Sequence, residues 1–348
     1  MTLDAAALLE AMLRIPSLSG QERVLADYLA DVMASLGFRS RVDEAGNAVG
    51  ERGDGSRQVM LLGHMDTVPG EVPVRREGDL LYGRGAVDAK GPLAAFIVAA
   101  ASVPVPAGCK LIVVGAVEEE AATSKGARHV IARYAPVAAI IGEPSGWEHI
   151  TVGYKGRLLI DYELQREVAH TARGESSAVE QALSFWSWVK GLSIGYGPPQ
   201  SRQFDRLDPS LREINSSGDG LIERVTMEIA LRLPPGFDVE AFKCAASEIA
   251  APAQVNCHGY EVAFRAEKST PLVRVLLQAI RSVGGQPRFS VKMGTSDMNV
   301  VGPAWGCPIV AYGPGDSDLD HTPHEHISLS EYERSIDVLR RALISLFH

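Results

Sequence analysis

An α/β fold is what this sequence predicts: a mixed sheet with helices on both faces, interrupted by a small α+β insert. Three observations carry the reading. Apolar runs rise into polar tips at residues 58–66, 110–117 and 138–143, as strands covered on both faces do before they surface. Helical periodicity recurs between them. From 154 the pattern turns to the alternation of antiparallel strands, and buried patterns resume at 270. These shifts divide the chain into a discontinuous first domain, 1–153 with 267–348, and an inserted one, 154–266, of ordinary domain size.

Residues 3–13 form a short amphipathic helix. For the next helix, Ser19 and Glu22 have the spacing of a capping box. Val24, Leu25, Tyr28, Leu29, Val32, Met33 and Leu36 follow at helical spacing, and Gly37 closes the run. A strand pair over 39–47 leads to the strand at 58–63, whose tip carries His64 and Asp66. Two apart on a strand, an imidazole and a carboxylate address one locus. Residues 81–91 hold three glycines, and Asp88 sits just before an Ala-rich helix that begins near Pro92. This stretch lacks both the Gly-x-Gly-x-x-Gly spacing and the Lys-Ser/Thr pair of nucleotide loops. A Val- and Ile-rich strand at 110–117 runs into Glu118, Glu119 and Glu120, and one at 138–141 runs into Glu143. Three adjacent acids at a strand tip repel one another, so they require a cation or solvent.

In the insert, 157–165 reads as a strand, 177–189 as a helix and 191–220 as a polar loop rich in Gly, Pro and Ser. Strands at 222–233 and 255–264 flank a helix at 239–250. A helix at 272–283, a strand at 308–312, a Gly-Pro-Gly-Asp loop, the histidine-rich block 321–326 and a helix from Ser330 complete the chain, without repeat or low-complexity tract.

Of the 348 residues 46% are hydrophobic and 22% charged, which fills a substantial core and argues against disorder. The 34 basic against 43 acidic side chains give a net −9 with no basic tract, which argues against nucleic acid or an anionic membrane as the main partner. Cys109, Cys244, Cys257 and Cys307 stand singly, so reduced thiols are expected in place of a zinc knuckle or disulfide framework. The first residues lack the basic segment of a signal peptide, and the most apolar run, 92–105, is too short to span a bilayer. A cytoplasmic location is the expectation.

His64, Asp66, Asp88, the acids 118–120, Glu143 and one late histidine fall at strand ends or before helices, where α/β sheets place ligands. Oxygen and nitrogen donors without thiolates suit Zn2+, Co2+ or Mn2+, and a carboxylate-rich set can hold two cations with one acid shared. Together the blocks 63–66, 83–91, 118–120, 142–145 and 321–325 resemble, in order and over nearly the whole chain, a known family. It is that of the co-catalytic dizinc amidohydrolases and peptidases, which includes acetylornithine deacetylase, succinyl-diaminopimelate desuccinylase and glutamate carboxypeptidase.

The resemblance implies a zinc-peptidase type catalytic domain, an inserted lid or dimerisation domain, a homodimer, and two divalent metal ions per subunit, Zn2+ before Co2+. It implies that His64, Asp88 and Glu143 hold one ion, and that Asp88, a glutamate of the acidic run and His321 hold the other. Asp66 would orient His64. The family shows Asp-Glu-Glu where this chain has three glutamates, which leaves two registers. The preferred one makes Glu119 the base and Glu120 the ligand; a slip of one would make them Glu118 and Glu119. The pattern His-x-x-Asp/Asn-Glu fits 321–325 with His324 in the acid's place, so His324 and His326 fall beside the ligand set or on the surface. His170, within Val-Ala-His-Thr-Ala, is similar to the insert histidine that assists the tetrahedral oxyanion, commonly at the partner subunit's site. Arg232 is similar to the insert arginine that grips a substrate carboxylate. Asn299 stands where the desuccinylases have Arg, which implies a substrate contact outside diacid recognition.

Within the family, blocks 153–157, 294–299 and 313–317 most resemble the branch that frees lysine or ornithine from the amino-group carrier protein LysW, in lysine and arginine biosynthesis. The bond cut there joins a carrier glutamate's γ-carboxyl to the amino acid's α-amino group. An acidic carrier requires a basic surface, hence a cluster of Lys155, Arg157, Arg202, Arg206 and Lys292. The alternatives are a deacetylase or dipeptidase acting on free N-acyl amino acids such as N-acetylornithine, and an inactive metal-binding interaction protein, which would lack a ligand or the base.

Overall fold

The computed structural model describes residues 4–168, 176–196 and 202–347. The chain divides into two compact units: Met1–Gly153 with Arg265–Val291 and Ser296–His348, and Tyr154–Phe264 with Lys292–Thr295. In chain order, α1 (Ala5–Leu13) and α2 (Arg23–Ser35) precede β1 (Arg39–Val42), β2 (Ala48–Arg52) and β3 (Arg57–His64). The short strands β4 (Arg75–Glu77) and β5 (Leu80–Tyr82) lead to α3 (Lys90–Ser102), β6 (Cys109–Ala116), α4 (Lys125–Ile131), β7 (Ala138–Gly142) and β8 (His149–Tyr154). Next come β9 (Gly156–Glu167), α5 (Ala178–Gly195), β10 (Asp208–Gly218), β11 (Ile222–Leu233), α6 (Val239–Ala250) and β12 (Gln254–Glu261). The last elements are β13 (Phe264–Arg265), α7 (Pro271–Ser282), β14 (Arg288–Lys292), α8 (Asp297–Trp305), β15 (Ile309–Ala311), β16 (His326–Ser328) and α9 (Leu329–Phe347).

The main sheet has the order β1-β2-β6-β3-β7-β15-β8-β13, with β14 beside β8. It is the mixed, helix-covered sheet that the sequence predicts. Its centre, β6-β3-β7-β15, is parallel, while β2 runs against β6 and β8 against β15. The central strands are apolar along their length because helices cover both faces. Beneath α3 lies a row of glycines, Gly115, Gly63 and Gly142, in register across three strands. A Cβ there would lie 3.1 Å and 3.3 Å from Leu93 and 2.9 Å from Phe96, so only glycine lets α3 sit this close. α3 is apolar nearly all round, as a helix buried against a sheet must be. Among the described residues no helix is long and apolar enough to cross a membrane.

The second unit is an antiparallel sheet, β10-β11-β9-β12. Leu158, Ile160, Tyr162 and Leu164 of β9 alternate with half-buried or exposed residues and pack with Phe185 and Val189 of α5 and Phe242 and Ala246 of α6. The polar stretch expected to be loop over 191–220 contains β10. This strand lies at the edge of its sheet with eight of its eleven residues exposed and none buried, so burial imposes no alternation on its sequence. Its ladder to β11, from Asp208 opposite Arg232 to Gly218 opposite Glu223, holds it instead.

Two further expectations shift. The strand pair placed at 39–47 spans β1 and β2 around a turn in which the Asp43 carboxylate accepts the N–H groups of Ala45, Gly46 and Asn47. The capping box of Ser19 and Glu22 does not form, because α2 begins at Arg23 and both side chains are engaged elsewhere.

Glu51 of β2 gathers Arg39, Arg41 and Lys110 at 3.5, 3.3 and 3.8 Å and accepts the Tyr134 hydroxyl at 2.8 Å. Burial alone would raise its carboxyl, but Tyr134, Arg41 and Lys110 hold it below the ordinary 4.5. A depressed carboxylate stabilises the fold above its unfolded pKa and loses that contribution as pH falls through the folded value. Glu51→Gln is therefore expected to destabilise near neutral pH by about 1 kcal/mol, as the arginines are exposed, with the gap closing below the ordinary carboxylate range. Urea unfolding at a series of pH values measures this, and a gap independent of pH would contradict it.

Candidate metal centre

Three adjacent parallel strands deliver the site. β3 ends at His64, the acidic run begins two residues past β6, and Glu143 follows β7 directly. His64 is level with Ala116, and Gly63 with Gly142, so these tips emerge together. Asp88 comes from the segment entering α3, which the glycine row brings down onto the same strands. The Asp88–Ala89 peptide is cis.

Asp88 faces both histidines. Its Oδ1 lies 3.1 Å from His64 Nε2 and its Oδ2 lies 3.0 Å from His321 Nε2. Glu120 Oε1 is 2.8 Å from the same His321 nitrogen, and Glu119 Oε2 is 4.0 Å from His64 Nε2. Three groups each bring their donor atoms within 4.8 Å of one another: His64, Asp88 and Glu143; Asp88, Glu120 and His321; and His64, Glu119 and Glu120.

The acidic run is shaped by its backbone. Glu118 has φ 57°, a left-handed conformation that costs a side-chain-bearing residue about 1–2 kcal/mol. Three hydrogen bonds hold the turn: the Glu118 N–H donates to Glu22 at 3.1 Å, and those of Glu119 and Glu120 donate to the two oxygens of Asp66 at 3.1 and 3.0 Å. Ser19 Oγ also donates to Asp66, at 2.7 Å. The Glu118 side chain consequently turns to Thr123 and Lys125, while Glu119 and Glu120 face the histidines. Asp66 has no exposed surface, and its Oδ1 stands 3.4 Å from His64 Nδ1.

Five carboxylates thus surround two imidazoles, and the proton affinities respond. Burial raises Glu119 and Glu143 well above the ordinary carboxylate range against the pull of His64, and neighbouring acids raise them further. Burial also raises Glu120, opposed by its contact with His321. His64, which burial alone would lower, is held well above 6.5 by Asp66 and Asp88, and His321 is pushed up to about 10 by Asp88 and Glu120. Against burial, the two histidines hold Asp88 well below the usual range. Nitrogen and carboxylate donors with no thiolate, and one carboxylate with an oxygen toward each side, fit a pair of divalent cations.

Residues 60–345 match the model of peptidase family M20/M25/M40. The chain belongs to that family. It is 47% identical to the LysW-lysine hydrolase of Deinococcus radiodurans, over 98% of this chain and 97% of the relative. It is 30% identical to the LysW-lysine/LysW-ornithine hydrolase of Sulfurisphaera tokodaii, over 93% and 90% of the two chains. Among solved structures, the M20 family metallo-carboxypeptidase Sso-CP2 of Sulfolobus solfataricus superposes with a TM-score of 0.78 at 18% identity, covering 99% of each chain, which shows a shared fold.

In this M20-family chain the seven residues His64, Asp66, Asp88, Glu119, Glu120, Glu143 and His321 meet in one unit. Arg232 belongs to the other unit, half-buried, and donates to Thr295 Oγ1 at 3.3 Å. Asn299, expected to contact substrate, stands at the start of α8. It is 1% exposed, and its Oδ1 accepts the Ser296 N–H, closing a capping box at the start of α8. His170 lies outside the described residues. His324 is exposed, and His326 packs on the Tyr82 ring at 4.8 Å. Sequence reasoning missed Ser19 and Glu22, whose spacing fits a cap equally well. It also missed Asp297, a buried acid whose charge acts on Glu119 and Glu143. An acid in the first turn of a helix reads as a dipole partner, so nothing in its position singled it out.

Cations entering this cluster displace protons from it. Zinc binding to the metal-free protein near neutral pH is therefore expected to release about one proton per ion, counted by calorimetry in buffers of different ionisation enthalpy. Asp88→Asn should weaken both binding steps; proton uptake, or loss of one step alone in that variant, would contradict the arrangement.

Proposed function

We propose that this protein is a metal-dependent amide hydrolase that releases lysine or ornithine from the γ-glutamyl end of the carrier protein LysW. The observation that carries the reading is likeness at 47% identity, over almost the full length of both chains, to a LysW-lysine hydrolase. His64, Asp88 and Glu143 would hold one cation, and Asp88, Glu120 and His321 the other, Zn2+ before Co2+, with nitrogen and carboxylate donors that suit either. When bound, such a pair supplies Lewis acidity to the amide carbonyl and lowers the pKa of water toward neutrality.

Glu119 takes the proton of the attacking water on Oε2 and passes it to the leaving α-amino group. The backbone supports this register over the slipped one, since Glu118 turns away to Lys125. Asp66 fixes the His64 ring with Nδ1 toward itself and Nε2 toward the cation. His170 serves the tetrahedral oxyanion. The unit of residues 154–264 acts as lid and dimerisation domain, and the exposed edge of β10 suits pairing with a second copy. Arg232 meets a carboxylate of the substrate. Lys155 has no exposed surface and pairs with Asp208, so a basic surface for an acidic carrier would have to come from the other expected cations, Arg157, Arg202, Arg206 and Lys292. The enzyme works in the cytoplasm.

Incubation of zinc-loaded protein with lysine-charged LysW, ornithine-charged LysW and N-acetylornithine, followed by carrier mass, tests the reading. Loss of the amino acid from LysW is expected; turnover of N-acetylornithine alone would overturn it. Glu119→Gln should reduce kcat about 10^2- to 10^4-fold with both metals retained. Glu118→Gln should stay within the roughly 0.5 kcal/mol of a surface change. Equal losses in the two variants would place the base elsewhere.

A further inference from the structure

Glu325 has no exposed surface, and every oxygen of its carboxylate is used. Oε1 accepts the backbone N–H groups of Val87 and Asp88 at 3.0 and 3.1 Å. Oε2 accepts Arg84 Nη1 at 2.7 Å, and the Glu325 carbonyl accepts the Gly83 N–H at 3.3 Å. One residue therefore pins both ends of the segment 83–88, the last residue of which is the carboxylate shared between the histidines. A fully buried charge is costly unless it is paired and hydrogen-bonded, and here a guanidinium and two N–H groups meet that requirement. Lys90, buried and bonded to the Met12 and Ile15 carbonyls, stands near enough for the Glu325 charge to oppose its desolvation.

The other end of the clamp is equally short. Glu325 lies four residues past His321, and the intervening turn is tied by Thr322, whose N–H and hydroxyl both donate to the Leu319 carbonyl at 3.2 and 2.9 Å. His321 itself is left-handed, φ 61°. A strained backbone at a ligand persists only where its surroundings over-determine it.

We infer that Glu325 is a positioning residue that sets the gap between Asp88 and His321, so that the Asp88, Glu120 and His321 group is formed before a cation arrives. The inference rests on the metal ligands proposed above. Its readout is metal binding without substrate, so failure of the carrier reading leaves it standing. The group holding His64, Asp88 and Glu143 shares only the Asp88 end of the clamp, whereas the group holding His321 depends on both ends.

Titration of Co2+ into the metal-free full-length chain, followed by calorimetry and by visible absorption of the bound ion, separates the two steps. Glu325→Gln keeps an acceptor for the two N–H groups but removes the charge and sets an amide against Arg84. The expected result is that one of the two steps weakens about 10- to 100-fold, with an altered absorption band for its ion, while the other changes less. A variant that melts earlier yet binds both ions with the parent's affinities would show that Glu325 only supports the fold, and would overturn the inference. Should Glu325→Gln not fold, Arg84→Met removes the counter-charge and leaves the carboxylate on Val87 and Asp88. The same direction with a smaller shift is expected there, and unchanged affinities would overturn the inference equally. A parent protein without two binding steps would remove the ligand assignment and the clamp together.

Discussion

Asp88 faces two histidines from the segment that enters α3, and α3 packs against a row of glycines carried by three neighbouring strands. With a methyl group at Gly63, Gly115 or Gly142, Leu93 or Phe96 would have to move. A constraint of packing in the core thus decides a distance between polar atoms at the strand tips. It also explains why an apolar helix with little sidedness sits here, since a helix seated this deep has no wet face to mark.

The second requirement is electrostatic. Gathering five carboxylates in a buried space is unfavourable unless positive charge or donors compensate. The fold compensates in layers. Asp66 is given over to backbone N–H groups, a hydroxyl and one imidazole, so its charge is satisfied without a cation. Glu325 is satisfied by Arg84 and two N–H groups. What remains around the two histidines is Asp88, held low by them, and Glu119, Glu120 and Glu143, which burial raises. Acids that build the site are separated in this way from acids that serve it, although both kinds lie at strand ends or beside loops.

How far the sequence revealed this follows from which signals are local. The strand tips bearing His64 and Glu143 were legible because an apolar run ending in a polar residue marks a strand surfacing. The choice between Glu119 and Glu118 was not settled by spacing. What separates their directions is the left-handed turn at Glu118, which depends on acceptors from Glu22 and Asp66, 96 and 53 positions from the N–H groups of Glu118 and Glu119 that they bind. Ser19 and Glu22 were misread for a related reason. Their spacing fits a cap, and only tertiary contacts reveal that their oxygens look toward the strand ends instead. β10 was missed because an exposed edge strand carries no burial pattern, its ladder being a property of the neighbour. The capping part of Asn299 was not legible, because a capping amide and a substrate-binding amide are the same residue until the helix start is located.

Arg232 shows what that lesson means for a charge within a sheet. In register across the second unit's strands stand Asp208, Arg232, Arg157 and Glu261. Two arginines directly opposite each other on antiparallel strands are unfavourable, and an acid on the outer side of each offsets the repulsion. The row explains how the sheet tolerates Arg232 whatever else the residue does. Asp208 is shared with the buried Lys155, so three cations stand against the two acids of this row.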